Sequence, residues 1–418
     1  MLRVRKEDLR LGMFIQSLEG SWFDHPFWKS KFLLEENDDL RALQSSEIDS
    51  VWIDEAKSLA PALAHLKTPA APAAPAAEPE AAAEPAPAPV PKPKRITRPN
   101  EYHAAQTVLA DCRAAVGGLF AQVRSGDAAA AIAEAAPVVG AIAESVERHA
   151  DALLTLTRIR SLDEYSYAHS VSVSALMIML ARQLQLPPQY VQQAGIAGLF
   201  MDVGKAFLPA ALLGKSSAYA EEDWAEMRRH TKLGAEAVAA YDDMSKIVAD
   251  VCLHHHERYD GSGYPHRLKE DEISLFARMA AICDSYDALA SARPHRPAFG
   301  PAEAVAEMYK AKGQYDESLL TSFIKAVGIY PAGSLVRLES QRLGCVAAQR
   351  RDQLTRPLVR IFYSIPQRSQ IEISELDLAQ DPEPDRIVAR EEPGRWGMRD
   401  WDQFAVTILQ GQKARRAA

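Results

Sequence analysis

Residues 254–265 read HHHERYDGSGYP, which is three adjacent histidines followed by a glycine-rich turn. Imidazole is a common ligand of borderline divalent metals such as iron, manganese, nickel and zinc. Adjacent side chains on a helix point about 100° apart, so three neighbouring rings cannot all serve the packing of one face. The glycines allow a tight turn that brings the backbone close to another group. This stretch predicts the end of a helix that carries metal ligands.

Working outward from this stretch, four further segments place a histidine or an aspartate on, or at the end of, a predicted helix. They are DEYSYAHS with His169, LFMDVGK with Asp202, MRRHTKLG with His230, and AAICDSYDAL with Asp284. Helical patterns fill residues 97–330, starting from a possible N-cap at Asn100, and clear strand patterns are absent there. We therefore expect a mainly α fold, in which a helical bundle aims these side chains at one metal site.

The flanking regions have a different composition. Residues 1–66 predict a small α/β domain, with strands in MFIQSL and VWIDE and a short helix around Asp38–Leu43. Residues 67–96 consist mainly of Ala, Pro and Glu, which favours an extended linker because nothing large is available for burial. Residues 331–418 predict a β-rich C-terminal extension, with strands in SLVRLES, GCVAAQRR and PLVRIFYS.

Composition narrows the classes of function. The 418 residues include 48 basic and 56 acidic side chains, a net charge of −8 that argues against nucleic acid as a partner. The four cysteines form no CxxC pair, and Cys252 and Cys283 are expected to be buried neighbours of the site. The first residues are charged where a signal peptide is apolar, and the Ala-rich run at 128–143 is interrupted by Glu134 and Pro137. We expect a cytoplasmic protein without a membrane span.

Taken together, residues 160–330 resemble the HD-GYP domain, the branch of the HD phosphohydrolase superfamily that hydrolyses cyclic di-GMP. The segments that carry the resemblance are the His169 segment, the DVGK string, MRRHTKLG, HHERYDGSGYP, AICDSYDAL and SARPHR. Residues 1–60 are similar to the small N-terminal domain that often precedes it. The resemblance implies an all-helical HD-type bundle with one or two divalent metal ions.

The resemblance also implies roles for single residues. One metal would be held by His169, Asp202 and Asp284, and a second by Asp202, His230, His255 and His256. Asp202 and Lys205 would be the catalytic residues, with Lys205 neutralising charge on the phosphoryl oxygens. The residues expected to bind substrate are Lys205, Asp260, Gly261, Gly263, Tyr264, Pro265, Asp287, Arg293 and Arg296. For Gly261, Gly263 and Pro265, forming the turn is the simpler role, and Tyr264 could either pack as a lid over the site or face a partner domain. Glu257 and Arg258 are expected to pair and to orient the histidines.

One position departs from the family pattern. The family has a histidine immediately before the aspartate of the DVGK string, and this chain has Met201. A thioether is a weak ligand for borderline metals, so one of the two metal sites lacks a donor. The expected function is metal-dependent hydrolysis of cyclic di-GMP to the linear dinucleotide pGpG and/or GMP.

Two alternatives stay open. One is a degenerate module that binds cyclic di-GMP or a partner protein with little turnover, and the other is hydrolysis of a different phosphorylated nucleotide. Other signalling proteins, such as diguanylate cyclase domains, and a homodimer are further partners that the resemblance leaves open.

Overall fold

The structure is a computed structural model. It describes residues 2–18, 32–34, 37–45, 50–55, 57–59, 62, 98–158, 165–215, 217–238, 243–291, 298–350, 353–380, 385–398 and 400–410. The predicted linker, residues 67–96, lies outside these ranges. The chain divides into two compact units, Met1–Arg95 and Ile96–Ala418.

In its described residues, the N-terminal unit contains a four-stranded antiparallel sheet and one α-helix. Its elements are β1 (Leu2–Arg5), β2 (Phe14–Leu18), β3 (Phe32–Leu33), α1 (Asn37–Ser45) and β4 (Ser50–Ile53), with the strand order β1-β4-β2-β3. Val4 lies opposite Val51 in the register, and Ile15 lies opposite Ile53. All four side chains are buried in one core. The small α/β domain expected from the sequence is therefore confirmed in its described part.

The described residues of the second unit begin with ten α-helices. They are α2 (Arg98–Arg124), α3 (Ala128–Arg158), α4 (Tyr165–Gln183), α5 (Pro188–Phe200), α6 (Ala210–Leu213), α7 (Glu221–Val238), α8 (Asp243–His254), α9 (Leu275–Ala290), α10 (Pro301–Lys310) and α11 (Glu317–Val327). No strand occurs among the described residues between 98 and 330. Local sequence explains where two of these helices begin. Pro188 occupies the first turn of α5, and the hydroxyl of Ser274 accepts a hydrogen bond from the Ala277 N–H at the start of α9. Helix α2 begins at Arg98, two residues earlier than the expected cap at Asn100.

Helix α3 has the most apolar sequence of the bundle. Within the described part of the chain, Ala128–Thr157 is the one helix whose length and composition would suit a membrane span, a property that core helices of soluble proteins share. It packs against α2, α4 and α5 and buries Val139 and Ile142. Pro137, expected to interrupt this run, lies inside the helix, and the backbone departs from helical geometry only at His149.

The C-terminal part of this unit is a five-stranded antiparallel sheet closed by a helix. It comprises β5 (Leu335–Leu338), β6 (Arg342–Ala348), β7 (Leu358–Ser364), β8 (Ser369–Asp377), β9 (Ile387–Arg390) and α12 (Trp401–Leu409), with strand order β8-β7-β6-β5-β9. Helix α12 was not expected. Trp401 and Phe404 pack on Phe362 of β7, with ring centroids 5.9 and 5.4 Å away. The mainly α fold with a β-rich extension is confirmed.

Candidate metal centre

Five helices bring histidine and aspartate side chains to one point in the bundle. His169 comes from α4, Asp202 follows α5, His230 lies on α7, His255 follows the end of α8, and Asp284 lies on α9. All five are buried. Buried ionisable groups are costly unless they are paired or hold a metal, so their convergence indicates a functional site.

Three of these side chains, together with His256, form a compact set, called here the three-histidine cluster: Asp202, His230, His255 and His256. One ligand atom from each lies within 4.8 Å of the others. Nε2 of His230 is 3.4 Å from Asp202 Oδ1, and Nε2 of His255 is 3.7 Å from the same oxygen. The set is the complete group that the resemblance implied.

Backbone carbonyls fix the orientation of two of these rings. Nδ1–H of His230 donates to the carbonyl of Met227 at 2.6 Å, and Nδ1–H of His255 donates to that of Val251 at 2.9 Å. With Nδ1 protonated, the lone pair of each neutral ring is on Nε2, which faces the cluster. This is how metal-binding histidines are commonly held.

The electrostatics of the cluster suit a divalent cation. Burial lowers the pKa of His230 to about 4 and lowers the pKa of His255 and His256 as well, so the rings are neutral at pH 7. Asp202 Oδ1 is buried and accepts no hydrogen bond. Three neutral imidazoles and one unsatisfied carboxylate oxygen are ligand types that suit iron, manganese, nickel or zinc.

A second group, the His169 pocket, lies on the other side of the same carboxylate and consists of His169, Asp202 and Asp284. Nε2 of His169 is 3.4 Å from Asp202 Oδ2 and 3.2 Å from Asp284 Oδ1. Lys205 Nζ lies 2.5 Å from Asp202 Oδ2. Burial alone would raise the pKa of Asp202, but Lys205 and the neighbouring histidines hold it well below its usual value. Asp202 therefore offers one oxygen to each group.

Asp287 lies on the Nδ1 side of the His169 ring, away from Asp202 and Asp284. It is buried, and its Oδ2 accepts the Nδ1–H of His169 at 2.7 Å while its Oδ1 accepts the hydroxyl of Ser172. Both oxygens accept hydrogen bonds inside the protein, which favours a supporting role, and the expected contact of Asp287 with substrate stays a prediction. Asp287 orients the His169 ring so that Nε2 faces Asp202 and Asp284.

The comparisons with known proteins agree with this geometry. A family described as "HD domain" matches residues 143–319, and a "Domain of unknown function (DUF3391)" matches residues 2–133. A protein of Pseudomonas aeruginosa named as a cyclic di-GMP phosphodiesterase is 43% identical over 96% of this chain and 95% of its own length. The chain belongs to the HD-GYP family.

Two further relatives match a smaller part of this chain. A cyclic di-GMP phosphodiesterase response regulator of Xanthomonas campestris is 35% identical over 41% of this chain and 46% of its own length. A 3′3′-cGAMP-specific phosphodiesterase of Vibrio cholerae is 29% identical over 38% of this chain and 30% of its own length. Among solved structures, an HD-GYP protein of Bdellovibrio bacteriovorus aligns with 77% of this chain and 97% of its own at 17% identity, with a TM-score of 0.45.

The DGSGYP loop, which gives the HD-GYP family part of its name, has a conformation fixed by local backbone contacts. Asp260 Oδ1 accepts the N–H of Ser262 at 2.9 Å, and Gly261 has a φ of +80°, which a glycine adopts readily. A Cβ on Gly263 would lie 2.4 Å from the Cα of Glu257, so the loop packs directly on the backbone after α8. Pro265 ends the turn after a cis peptide bond. These contacts support the turn-forming role that the sequence had left open.

Tyr264 stacks on the metal centre. Its ring lies 4.8 Å from that of His256 at an interplanar angle of 29°, and the guanidinium of Arg228 lies 5.3 Å from the centroid of the tyrosine ring. Burial raises the pKa of the Tyr264 hydroxyl, so it remains protonated. In this HD-GYP chain the tyrosine therefore covers one ligand ring.

Glu257 and Arg258 do not form the expected pair. The carboxylate of Glu257 accepts the N–H groups of His266 at 2.7 Å and Leu268 at 3.2 Å, which fixes the chain after the loop. Arg258 instead lies over the ring of Tyr315, 5.4 Å from its centroid. The prediction that the two residues pair is wrong because the carboxylate serves the loop backbone.

Other expected residues have simpler outcomes. Met201 is fully buried directly after α5, next to Asp202. Cys252 and Cys283 are buried, and burial raises the pKa of both thiols, which confirms them as protonated neighbours of the site. Arg293 and Arg296 lie outside the described residues, so their expected contact with substrate stays a prediction.

One backbone contact next to the metal centre was not predicted from the sequence. Gly204 lies in a 3-10 turn, Val203–Phe207, and a Cβ there would be 1.9 Å from the carbonyl oxygen of His230 and 2.6 Å from the nitrogen of Gly234. The contact holds the segment after Asp202 against α7. The sequence signal for this close backbone contact was the pair of glycines in DVGK and KLG, Gly204 and Gly234.

Proposed function

We propose that this chain is a metal-dependent phosphodiesterase that hydrolyses cyclic di-GMP to pGpG and/or GMP. Support comes from the HD-GYP family membership and from the nearly full-length relative that carries the name of this activity. It also comes from the buried set of histidines and carboxylates, which is the type of site that binds metals for phosphoester hydrolysis.

The observation that carries the proposal is the shared carboxylate of Asp202. Its Oδ1 faces the three-histidine cluster, and its Oδ2 faces the His169 pocket. Carboxylates can bridge two cations, and paired metals are a common device for displacement at phosphorus. His230, His255 and His256 would hold one ion with Asp202.

A second ion would be held by His169 and Asp284 with the other oxygen of Asp202. We propose iron, manganese, nickel or zinc as the metal, in one or two copies, because neutral imidazole and carboxylate suit these ions.

Metal ions bound there would supply Lewis acidity toward the phosphodiester and would make water more acidic. The chain provides the remaining functions. Lys205 has a partly exposed ammonium group at the edge of the site, where it can offset negative charge on phosphoryl oxygens. Asp287 keeps His169 in one tautomer, and Tyr264 limits access to one face of His256. The buried imidazoles are neutral, so they act as ligands rather than as proton donors.

A second candidate function rests on Met201. Because this side chain replaces an imidazole beside the His169 pocket, a chain that fills only the three-histidine cluster would bind the dinucleotide and turn it over slowly. Metal content separates the two functions. Two metals per chain with turnover support the enzyme, and one metal with binding but no turnover supports the receptor.

The test is elemental analysis of the purified protein, together with chromatographic measurement of products from cyclic di-GMP. The same assay with 3′3′-cGAMP and linear pGpG defines the substrate class. Asp202→Asn should remove metal and turnover together, whereas Asp111→Asn, at an exposed position of α2, should change neither. Full turnover in the Asp202→Asn variant would contradict the proposal.

We also propose a cytoplasmic location, with diguanylate cyclase domains or a second copy of the chain as protein partners. The support is the acidic composition and the family resemblance. Cell fractionation tests the location. Size-exclusion chromatography with light scattering, alone and with a diguanylate cyclase domain, tests the partners.

A further inference from the structure

A second pair of histidines lies outside the metal centre, at the two ends of the HHERYDGSGYP segment. His254 is the last residue of α8, and His266 directly follows Pro265. Nε2 of His254 is 3.1 Å from Nδ1 of His266, and the ring centroids are 5.3 Å apart. His254 is partly buried and His266 is exposed, so solvent and small ions can reach the pair.

The orientation of His254 is fixed by a carboxylate on its other side. Nδ1–H of His254 donates to Asp250 Oδ1 at 3.0 Å, and the hydroxyl of Ser274 donates to Asp250 Oδ2. In the neutral ring the lone pair is then on Nε2, the atom that faces His266. A carboxylate bonded to the far nitrogen is also the usual support of a histidine that binds a metal.

We propose that His254 and His266 chelate a divalent transition-metal ion of the zinc, nickel or copper class, at a site separate from the metal centre. Two nitrogens at the ordinary zinc–nitrogen distance in a tetrahedral site lie about 3.3 Å apart. The pair is already close to that spacing. Without an ion, the short distance is that of one N–H shared between the two rings; with an ion, both lone pairs would face the cation and water would complete its coordination.

The position of the pair gives this ion a structural effect. The ion would join His254, at the end of α8, to His266, the residue after Pro265. The segment between these two residues contains the ligand His256 and its stacking partner Tyr264, so the ion would hold the two ends of that segment together. The N–H of Tyr264 donates to the carbonyl of His256 at 3.2 Å across this segment. An ion on the pair should reduce opening of the loop and slow exchange of that amide hydrogen.

The experiment uses the full chain with the metal it carries when purified. Equilibrium dialysis against buffered Zn²⁺ should show one additional zinc per chain in the parent and none in His266→Gln, in which the metal centre and turnover are retained. Asp250→Asn should bind the added zinc about 10–100-fold more weakly, because the supporting carboxylate is lost. His103→Gln, at an exposed position of α2, should bind as the parent does.

Hydrogen exchange provides the second measurement. Added Zn²⁺ should slow exchange at Tyr264 in the parent and leave it unchanged in His266→Gln. The proposal is overturned if His266→Gln retains the additional zinc. It is also overturned if zinc protects Tyr264 equally in both proteins, since the ion would then be bound elsewhere.

Discussion

Asp287→Asn distinguishes the role that the sequence suggested for this residue from the role that the structure gives it. Both carboxylate oxygens of Asp287 accept hydrogen bonds, one from His169 and one from Ser172. Asparagine has the same shape but only one acceptor oxygen. If that oxygen keeps the bond to His169, the amide faces Ser172, whose hydroxyl can rotate to accept. The variant should therefore fold.

The expected loss of stability follows from replacing hydrogen bonds to a charged carboxylate with hydrogen bonds to a neutral amide. A hydrogen bond to a charged group contributes about 1.5–3 kcal/mol and a neutral one about 0.5–1.5 kcal/mol, so the variant should lose about 1–2 kcal/mol of stability. Loss of a carboxylate that supports a metal-binding histidine typically costs about 10–100-fold in metal affinity or activity. We expect kcat for cyclic di-GMP to fall by that factor, with KM unchanged and less metal bound per chain.

The assay is steady-state kinetics with metal analysis on the same preparation. Ser172→Ala is the matched control, because it removes the other hydrogen bond of Asp287 and leaves the one to His169. Its effect on kcat should be smaller than that of Asp287→Asn. A rise in KM with unchanged metal content and kcat would mean that Asp287 contacts substrate, and its role as the support of His169 would be refuted.

Three further predictions concern the metal centre and the backbone beneath it. Met201→His should tighten metal binding in the His169 pocket at least tenfold, since even supporting groups contribute about 10–100-fold. Without metal, the free energy of unfolding of this variant should be about 1–3 kcal/mol lower, because the imidazole is buried without a partner. Thermal unfolding with and without metal checks both expectations. His256→Ala should lose bound metal while circular dichroism stays helical, and unchanged metal content would show that the ligand assignment is incorrect. Gly204→Ala places a Cβ 1.9 Å from the carbonyl oxygen of His230 and should cost about 3 kcal/mol or more. Gly118→Ala on α2 meets nothing within 4 Å and should be neutral or stabilising, so equal urea midpoints for the two variants would contradict the argument.

The ligand set could be predicted from the sequence because each ligand is at a position that a local pattern identifies. His230 lies within an amphipathic helix, and His255 and His256 come directly before a glycine-rich turn. Such patterns place side chains along each helix, and the resemblance supplies the order of the helices. The structure brings Asp202, His230, His255 and His256 together as the resemblance implied.

The role of Asp287 could not be predicted in the same way. Asp284 and Asp287 are three residues apart on α9, which puts them on the same helix face. Sequence spacing cannot tell which of the two faces the metals and which supports a ligand. The answer depends on Ser172 and His169, whose places against α9 are set by the packing of α4.

The C-terminal sheet shows a limit of pattern reading. Strands β5, β6 and β7 bury apolar side chains and were predicted. Strand β8, with the sequence SQIEISELD, is an edge strand that was not predicted, although Ile371 and Ile373 alternate with more exposed polar residues as in a half-buried strand. Its place is fixed by pairing with β7, which is information that the local sequence does not contain.

The sharing of Asp202 between two groups of ligands has a consequence for the charge balance of the site. Asp202, Asp284 and Asp287 carry three negative charges against the one positive charge of Lys205, and the ligand imidazoles are neutral when they bind metal. One divalent ion would make the assembly electrically neutral. Two would leave it with two positive charges, equal and opposite to the two phosphodiester groups of a cyclic dinucleotide. The second ion would therefore determine whether the site attracts a dianion or is indifferent to it, and Met201 directly precedes Asp202, whose Oδ2 faces the pocket that would hold that ion.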